Sequence, residues 1–164
     1  MIVISDTSPL TNLAAVELLD LLHQLYGKVI IPQGVYQEMV NLDYLVPGAL
    51  EIQNFSWIET QAVNNQNQVE ELQYELDLGE SEAIVLTLEL DADLLLLDER
   101  RGRQVATSLG ITKITGLLGV LLEAKQHNLI EKINPIIDKL IAENNFWISS
   151  NLYHRLLDLA GELR

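Results

Sequence analysis

Cysteine is absent from these 164 residues. That excludes disulfides and thiolate metal sites and suits a reducing cytoplasm, the compartment expected here. Aromatic residues make up only 5%, so any core must be built from Leu, Ile and Val. No run approaches the roughly 20 apolar residues that a membrane-crossing helix needs, and no basic stretch precedes the apolar N-terminus as a signal peptide requires. The expectation is a chain with no membrane partner. Lys and Arg are missing between Val29 and Glu99, so most of the central chain has no cation of its own.

What is present is aliphatic residue and negative charge. Hydrophobic residues reach 48% and the formal net charge is −14. The length suits one domain over residues 1–164, with residues 130–164 read as a C-terminal helical extension. Eleven acids fall between Glu70 and Glu99, and the basic residues return at Arg100, Arg101, Arg103 and Lys113. Such a surface repels nucleic acid on average and attracts cations or a basic partner. Most of these acids need no role beyond solvation.

The chain opens "MIVISDTSPL": Ile2–Ser5 reads as a buried strand ending on Asp6. Pro is favoured at the first helical position, which makes Ser8 the expected N-cap and places Asp6 too early to cap. Two helices follow, with a break near Ala15 and a stop at Gly27. Val29–Ile31 is a second strand, and Pro32 opens a helix carrying Glu38 beside an inward pair, Val35 and Met39. Residues 41–56 read as irregular, "WIET" as a short edge strand and "AVNNQNQ" as a polar loop. A central helix is expected from Gly79, with Glu80 in its first turn and Glu82 two residues on. "ADLLLL" is a strand ending on Asp98, whose ordinary role would be to cap the helix from Arg100 to Leu109. "ITKIT" is the last strand, and three helices complete the chain, the last capped by Ser149 or Ser150.

Strands that are apolar throughout and alternate with helices indicate an α/β fold: a three-layer α/β/α arrangement around a parallel sheet. Ligands in such sheets bind at the carboxyl ends of strands where the strand order reverses. For Asp6 and Asp98 to share that point, Ile2–Ser5 must lie at the centre, between Val29–Ile31 and Leu94–Leu97. Glu38 and Glu80 leave the same edge on helices. Carboxylates brought within about 4–6 Å resist ionising together, a cost that a cation removes. Oxygen ligands without His or Cys select a hard divalent ion, Mg²⁺ or Mn²⁺. His23, His127 and His154 lie elsewhere in the pattern.

"ISDTSPL", "IPQGVYQEM", "LDLGESEAI" and "LLLLDERRGR" resemble the PIN-domain nucleases, in particular a prokaryotic branch similar to VapC-type toxins of toxin–antitoxin systems. The resemblance runs through nearly the whole chain, "GLLGVLLEAK" and the final helix pair included. It implies strand order 3-2-1-4-5 and four metal-holding acids matching Asp6, Glu38, Glu80 and Asp98, with Glu82 as a reserve ligand. Leu117 stands where relatives of this branch often carry a hydroxyl residue. The implied activity is Mg²⁺- or Mn²⁺-dependent hydrolysis of single-stranded RNA, in which a water made more acidic attacks the phosphodiester. Thr7 or Ser8 would orient that water, and Arg100, Arg101 and Arg103 would contact phosphate.

Protein partners to test are an antitoxin-like peptide, basic enough to lie on the acidic face, and a second copy of the chain. The contrasting reading is a PIN-like module that binds such a partner and turns over no RNA. Two other classes share the architecture and lack their residues here. A response-regulator receiver needs paired acids after the first strand and an acceptor Asp after the third. A dehalogenase-type phosphatase needs Asp-x-Asp where this chain has Asp-Thr-Ser.

Overall fold

The computed structural model describes residues 1–40 and 43–162. Five strands, β1 (Val3–Ser5), β2 (Val29–Pro32), β3 (Ile58–Gln61), β4 (Leu94–Leu96) and β5 (Ile114–Thr115), form one parallel sheet in the order β3-β2-β1-β4-β5. Val3, Ile4 and Ser5 pair with Leu94, Leu95 and Leu96, and Ile4 also faces Ile30. The chain builds outward from β1 through β2 to β3, then returns across β1 to add β4 and β5. Strand order reverses between β1 and β4, which is the crevice-forming point of such sheets. The expected α/β fold and strand order are therefore found.

Alternate residues along a strand face opposite sides, and the core divides accordingly. On one face Val3, Leu94 and Leu96 pack with α1 (Thr7–Ala15), α2 (Asp20–Tyr26), α3 (Gln33–Met39), α8 (Leu117–Gln126), α9 (Asn134–Glu143) and α10 (Ser150–Leu159). On the other, Ile4, Leu95 and Leu97 pack with α5 (Gln66–Leu72), α6 (Leu78–Glu89) and α7 (Arg100–Ser108). Every residue of α6 from Gly79 to Thr87 is buried, as befits a helix apolar nearly all round. Ile133, Ile137, Leu140 and Leu156 tie α9 and α10 into the first core.

Several local expectations need correction. Residues 49–54 of the stretch read as irregular form the short helix α4 (Ala49–Asn54), seated by Ala49 and Ile52. The polar "AVNNQNQ" ends in the first turn of α5, capped where Asn65 Oδ1 accepts from the Gln68 N–H. Helix α1 begins at Thr7, so Asp6 rather than Ser8 holds the N-cap position, with extended backbone and no side-chain cap bond. Pro9 misleads because the first four helical N–H groups all lack intrahelical partners, so Pro is tolerated beyond the first position. Pro32 is the last residue of β2 and the N-cap of α3 rather than its first turn. Helix α7 has Glu99, not Asp98, at its N-cap. Of the two serines, Ser149 caps α10.

Candidate metal centre

Helices that follow parallel strands start at the carboxyl edge of the sheet, so their unpaired N–H groups and positive dipole ends collect there. The acids of this edge are held by those amides. Glu38, from the last turn of α3, accepts from the Gly79 N–H of α6 through Oε1 at 2.9 Å and from the Thr7 hydroxyl through Oε2. Glu82 reciprocates from α6, accepting from the Gly34 N–H of α3 at 2.7 Å. Asp77 caps α6, its Oδ1 accepting from the Glu80 N–H at 2.8 Å. Asp98 reaches across to α8, its Oδ1 accepting from the Leu117 N–H at 2.8 Å. The contact uses the backbone of Leu117, so its side chain need not be a hydroxyl.

Four glycines permit this crowding, Gly102 against Glu80 and Gly116 against Asp98 among them. A Cβ at Gly79 would stand 2.6 Å from Glu38 Oε2, and one at Gly34 would stand 2.9 Å from Glu82 Oε1.

One carboxylate oxygen each from Asp6, Glu38 and Asp77 lie within 4.8 Å of one another. Asp6 is 5% exposed, and burial drives its carboxyl up to about 7, with Asp77, Glu38 and Asp98 adding repulsion against the pull of the Thr7 amide. Burial likewise raises Glu38, opposed by the Thr7 hydroxyl, and raises Asp98, opposed by the Leu117 amide and the Arg103 guanidinium. Glu80 is pushed up to about 8, first by burial and then by Asp77 and Asp6. The sequence-derived acids Asp6, Glu38, Glu80 and Asp98 thus occupy one electrostatically linked cluster. Glu80 and Asp98 lie outside the tight triad, and Glu82 has one oxygen engaged as the cap of α3.

Asp77 is the acid that sequence reasoning missed. Its signal was present: "DLGE" is an Asp-x-x-Glu helix start of the capping-box kind, and beginning the helix at Leu78 makes Asp77 its N-cap. Starting it at Gly79 hid that position.

The donor set fits a hard divalent ion on two counts. The cluster consists only of carboxylates, which repel one another until a cation neutralises them. Among the described residues, four buried side-chain oxygens or hydroxyls have no hydrogen-bond partner, and three belong to this cluster: Asp6 Oδ1, Glu80 Oε2 and Asp98 Oδ2. Buried polar atoms are nearly always paired, and three carboxylate oxygens without a hydrogen-bond partner at one edge of the sheet are compatible with a cation there.

The arginines separate. Arg101 pairs with Glu75 on the flank of α7. Arg103 donates Nη1 to the Leu97 carbonyl at 3.0 Å and stands beside Asp98. Arg100 is exposed and makes no ion pair or hydrogen bond among the described residues. Thr7 is committed to Glu38, and Ser8 accepts from Asn12 Nδ2 at 3.2 Å.

No curated protein and no solved structure gives a significant match to this chain. A family model, DUF3368, described as a PIN domain, matches residues 2–162, a span that contains every strand of the sheet and every acid of the cluster. The chain therefore belongs to the PIN-domain family, with the nuclease-type fold that membership carries.

Proposed function

We propose that this protein is a Mg²⁺- or Mn²⁺-dependent endoribonuclease acting on single-stranded RNA, in the setting of a toxin–antitoxin pair. The observation that carries the reading is the triad of Asp6, Glu38 and Asp77 oxygens within 4.8 Å, backed by orphaned oxygens on Asp6, Glu80 and Asp98. The motif resemblance to VapC-type toxins supports the finer assignment.

Asp6, Glu38 and Asp77 would hold the ion, with Asp98 and Glu80 at its margin. A divalent ion bound there supplies a more acidic water and offsets charge growing on the phosphoryl oxygens. The chain's own groups set the geometry beforehand. Helix amides and the Thr7 hydroxyl fix Glu38, and single amides fix Asp77 and Asp98, so each acid enters the site with its orientation already determined. Asp98 keeps Oδ2 buried and without a hydrogen-bond partner. The acidic walls repel a stiff duplex and leave room for a flexible strand, which favours single-stranded substrate.

Cleavage of a labelled single-stranded RNA by purified protein with Mn²⁺ tests this. Asp98→Asn should lose turnover, and expression of the wild type, but not of this variant, should arrest growth. The net charge of −14 favours a second reading, a PIN module that binds a basic antitoxin-like peptide and cuts nothing. An absence of Mn²⁺-dependent cleavage, with no phenotype for Asp98→Asn, would make that reading the better one.

A further inference from the structure

Helix α7 carries three arginines, Arg100, Arg101 and Arg103, in its first turn or so and no acid there. Cations at a helix N-terminus oppose the dipole, which favours acids at that end. In a chain with 24 acids and ten basic side chains, this local conflict points to a functional demand. The side chains show what the demand is. Asp98, Arg100, Arg103, Gln104 and Thr107 line a shallow, open groove of about 570 Å³. Four of them recur at the spacing of one helix face, i, i+3, i+4 and i+7. The fifth, Asp98, belongs to the candidate metal centre, so the groove runs outward from that centre.

The lining is rich in unused donors. Arg100 is uncommitted, and Arg103 spends only Nη1 on a protein acceptor. Gln104 uses only its carbonyl, as an acceptor from Arg101 at 3.4 Å, and Thr107 has no side-chain hydrogen bond among the described residues. A face of free donors beside an acidic cluster suits a ligand that carries many acceptors and one or more negative charges. A nucleotide has both, in its phosphate and its base edge.

We propose that this face of α7 is the subsite for the nucleotide adjoining the cleaved bond. Arg100 and Arg103 hold its phosphate, and Gln104 and Thr107 contact its base or ribose. From Arg100 to Thr107 the helix advances about 10 Å, enough for one nucleotide and its flanking phosphate. Arg101 does not line the groove: it reaches Gln104 from the flank, and its guanidinium is paired with Glu75. The inference rests on the nuclease reading for the meaning of the adjoining bond, but nucleotide binding in the groove can be measured without cleavage.

The test uses fluorescence anisotropy of a labelled ten-nucleotide single-stranded RNA in EDTA, followed by mapping of cleavage sites with Mn²⁺. Arg100→Ala should weaken binding about 5- to 20-fold and lower the salt slope by about one. Arg101→Ala, an exposed neighbour of like charge, should change affinity less than twofold. Gln104→Ala and Thr107→Val should shift which nucleotides flank the cut while Mn²⁺ affinity stays unchanged. Equal losses from Arg100→Ala and Arg101→Ala would overturn the subsite, since they would show only general charge. So would unchanged affinity and cut sites in all the α7 variants, or competition by a polyglutamate peptide as strong as by unlabelled RNA. Binding that depends on Arg100 but not on Arg101, in a protein that cuts no RNA, would keep the subsite and refute the nuclease reading instead.

Discussion

Replacing Asp6 by Asn should stabilise the metal-free protein above neutral pH while abolishing ion binding. Asp6 is buried at the end of β1, one oxygen unpaired, facing Glu38, Asp77 and Asp98. Its carboxyl rises on folding from 3.8 to about 7. Below 3.8 the group is protonated in both states and folding bears no penalty. As pH climbs from there to about 7 the unfolded chain releases the proton first, so stability falls, and above 7 the whole penalty is present. A rise of that size corresponds to about 4 kcal/mol. Asn carries no charge but remains partly unsatisfied, which takes back about 1–3 kcal/mol. The net gain at pH 8 is about 2 kcal/mol, or about 4–8 °C in Tm for a domain of this size. Thermal melts in EDTA from pH 4 to pH 9 read the effect. The variant should lose to the wild type at pH 4, cross it between about pH 4.5 and pH 6, and exceed it at pH 8. Mn²⁺ at 100 times its Kd should then add about 2.7 kcal/mol to the wild type alone and reverse the order. A difference between the two proteins that stays constant across this pH range would refute the reasoning.

Three further outcomes follow from the same contacts. Asp77→Asn should weaken Mn²⁺ binding in calorimetry, and Asp77→Ala should in addition cost about 1 kcal/mol in urea denaturation through loss of the α6 cap. Glu82→Ala, which strands the Gly34 N–H, should cost about 1–3 kcal/mol yet shift Mn²⁺ affinity less than about threefold; a larger shift would restore Glu82 as a ligand. Glu162, whose side chain is buried, accepts from Ile133 N–H, Asn134 N–H and Lys125, and these hold its carboxyl below the usual range against its desolvation. Its contribution is present above the ordinary glutamate value and is lost as pH falls through the lowered one. Glu162→Gln should therefore flatten the acid limb of the stability profile and loosen α9.

The sheet could be read from the sequence because β1, β2 and β4 are short apolar runs separated by helical segments, and because Asp6 and Asp98 each mark a strand end. If those two carboxylates share one site, β1 and β4 must be neighbours; the full strand order came from the family resemblance. The missed helices are the ones that give periodicity little to work on. Helix α4 seats only Ala49 and Ile52 in the core, and α5 only Val69. At the site, residue type was legible and side-chain commitment was not. Glu80 and Asp77 are three residues apart in one turn, and only the start of α6 decides which enters the triad. Glu38 and Glu82 look alike in sequence, but each caps the other's helix, and only Glu38 also meets Asp6 and Asp77. Arg100 and Arg101 are adjacent and chemically identical, and a neighbouring acid, Glu75, removes one of them from the groove.

The central claim is that the oxygens of Asp6, Glu38 and Asp77 hold a divalent ion, and anomalous difference density from crystals soaked in Mn²⁺ tests it most directly. The account predicts a peak within bonding distance of all three carboxylates, absent in crystals of Asp6→Asn soaked in the same way. No peak at this edge of the sheet, or one that persists unchanged in Asp6→Asn, would contradict it.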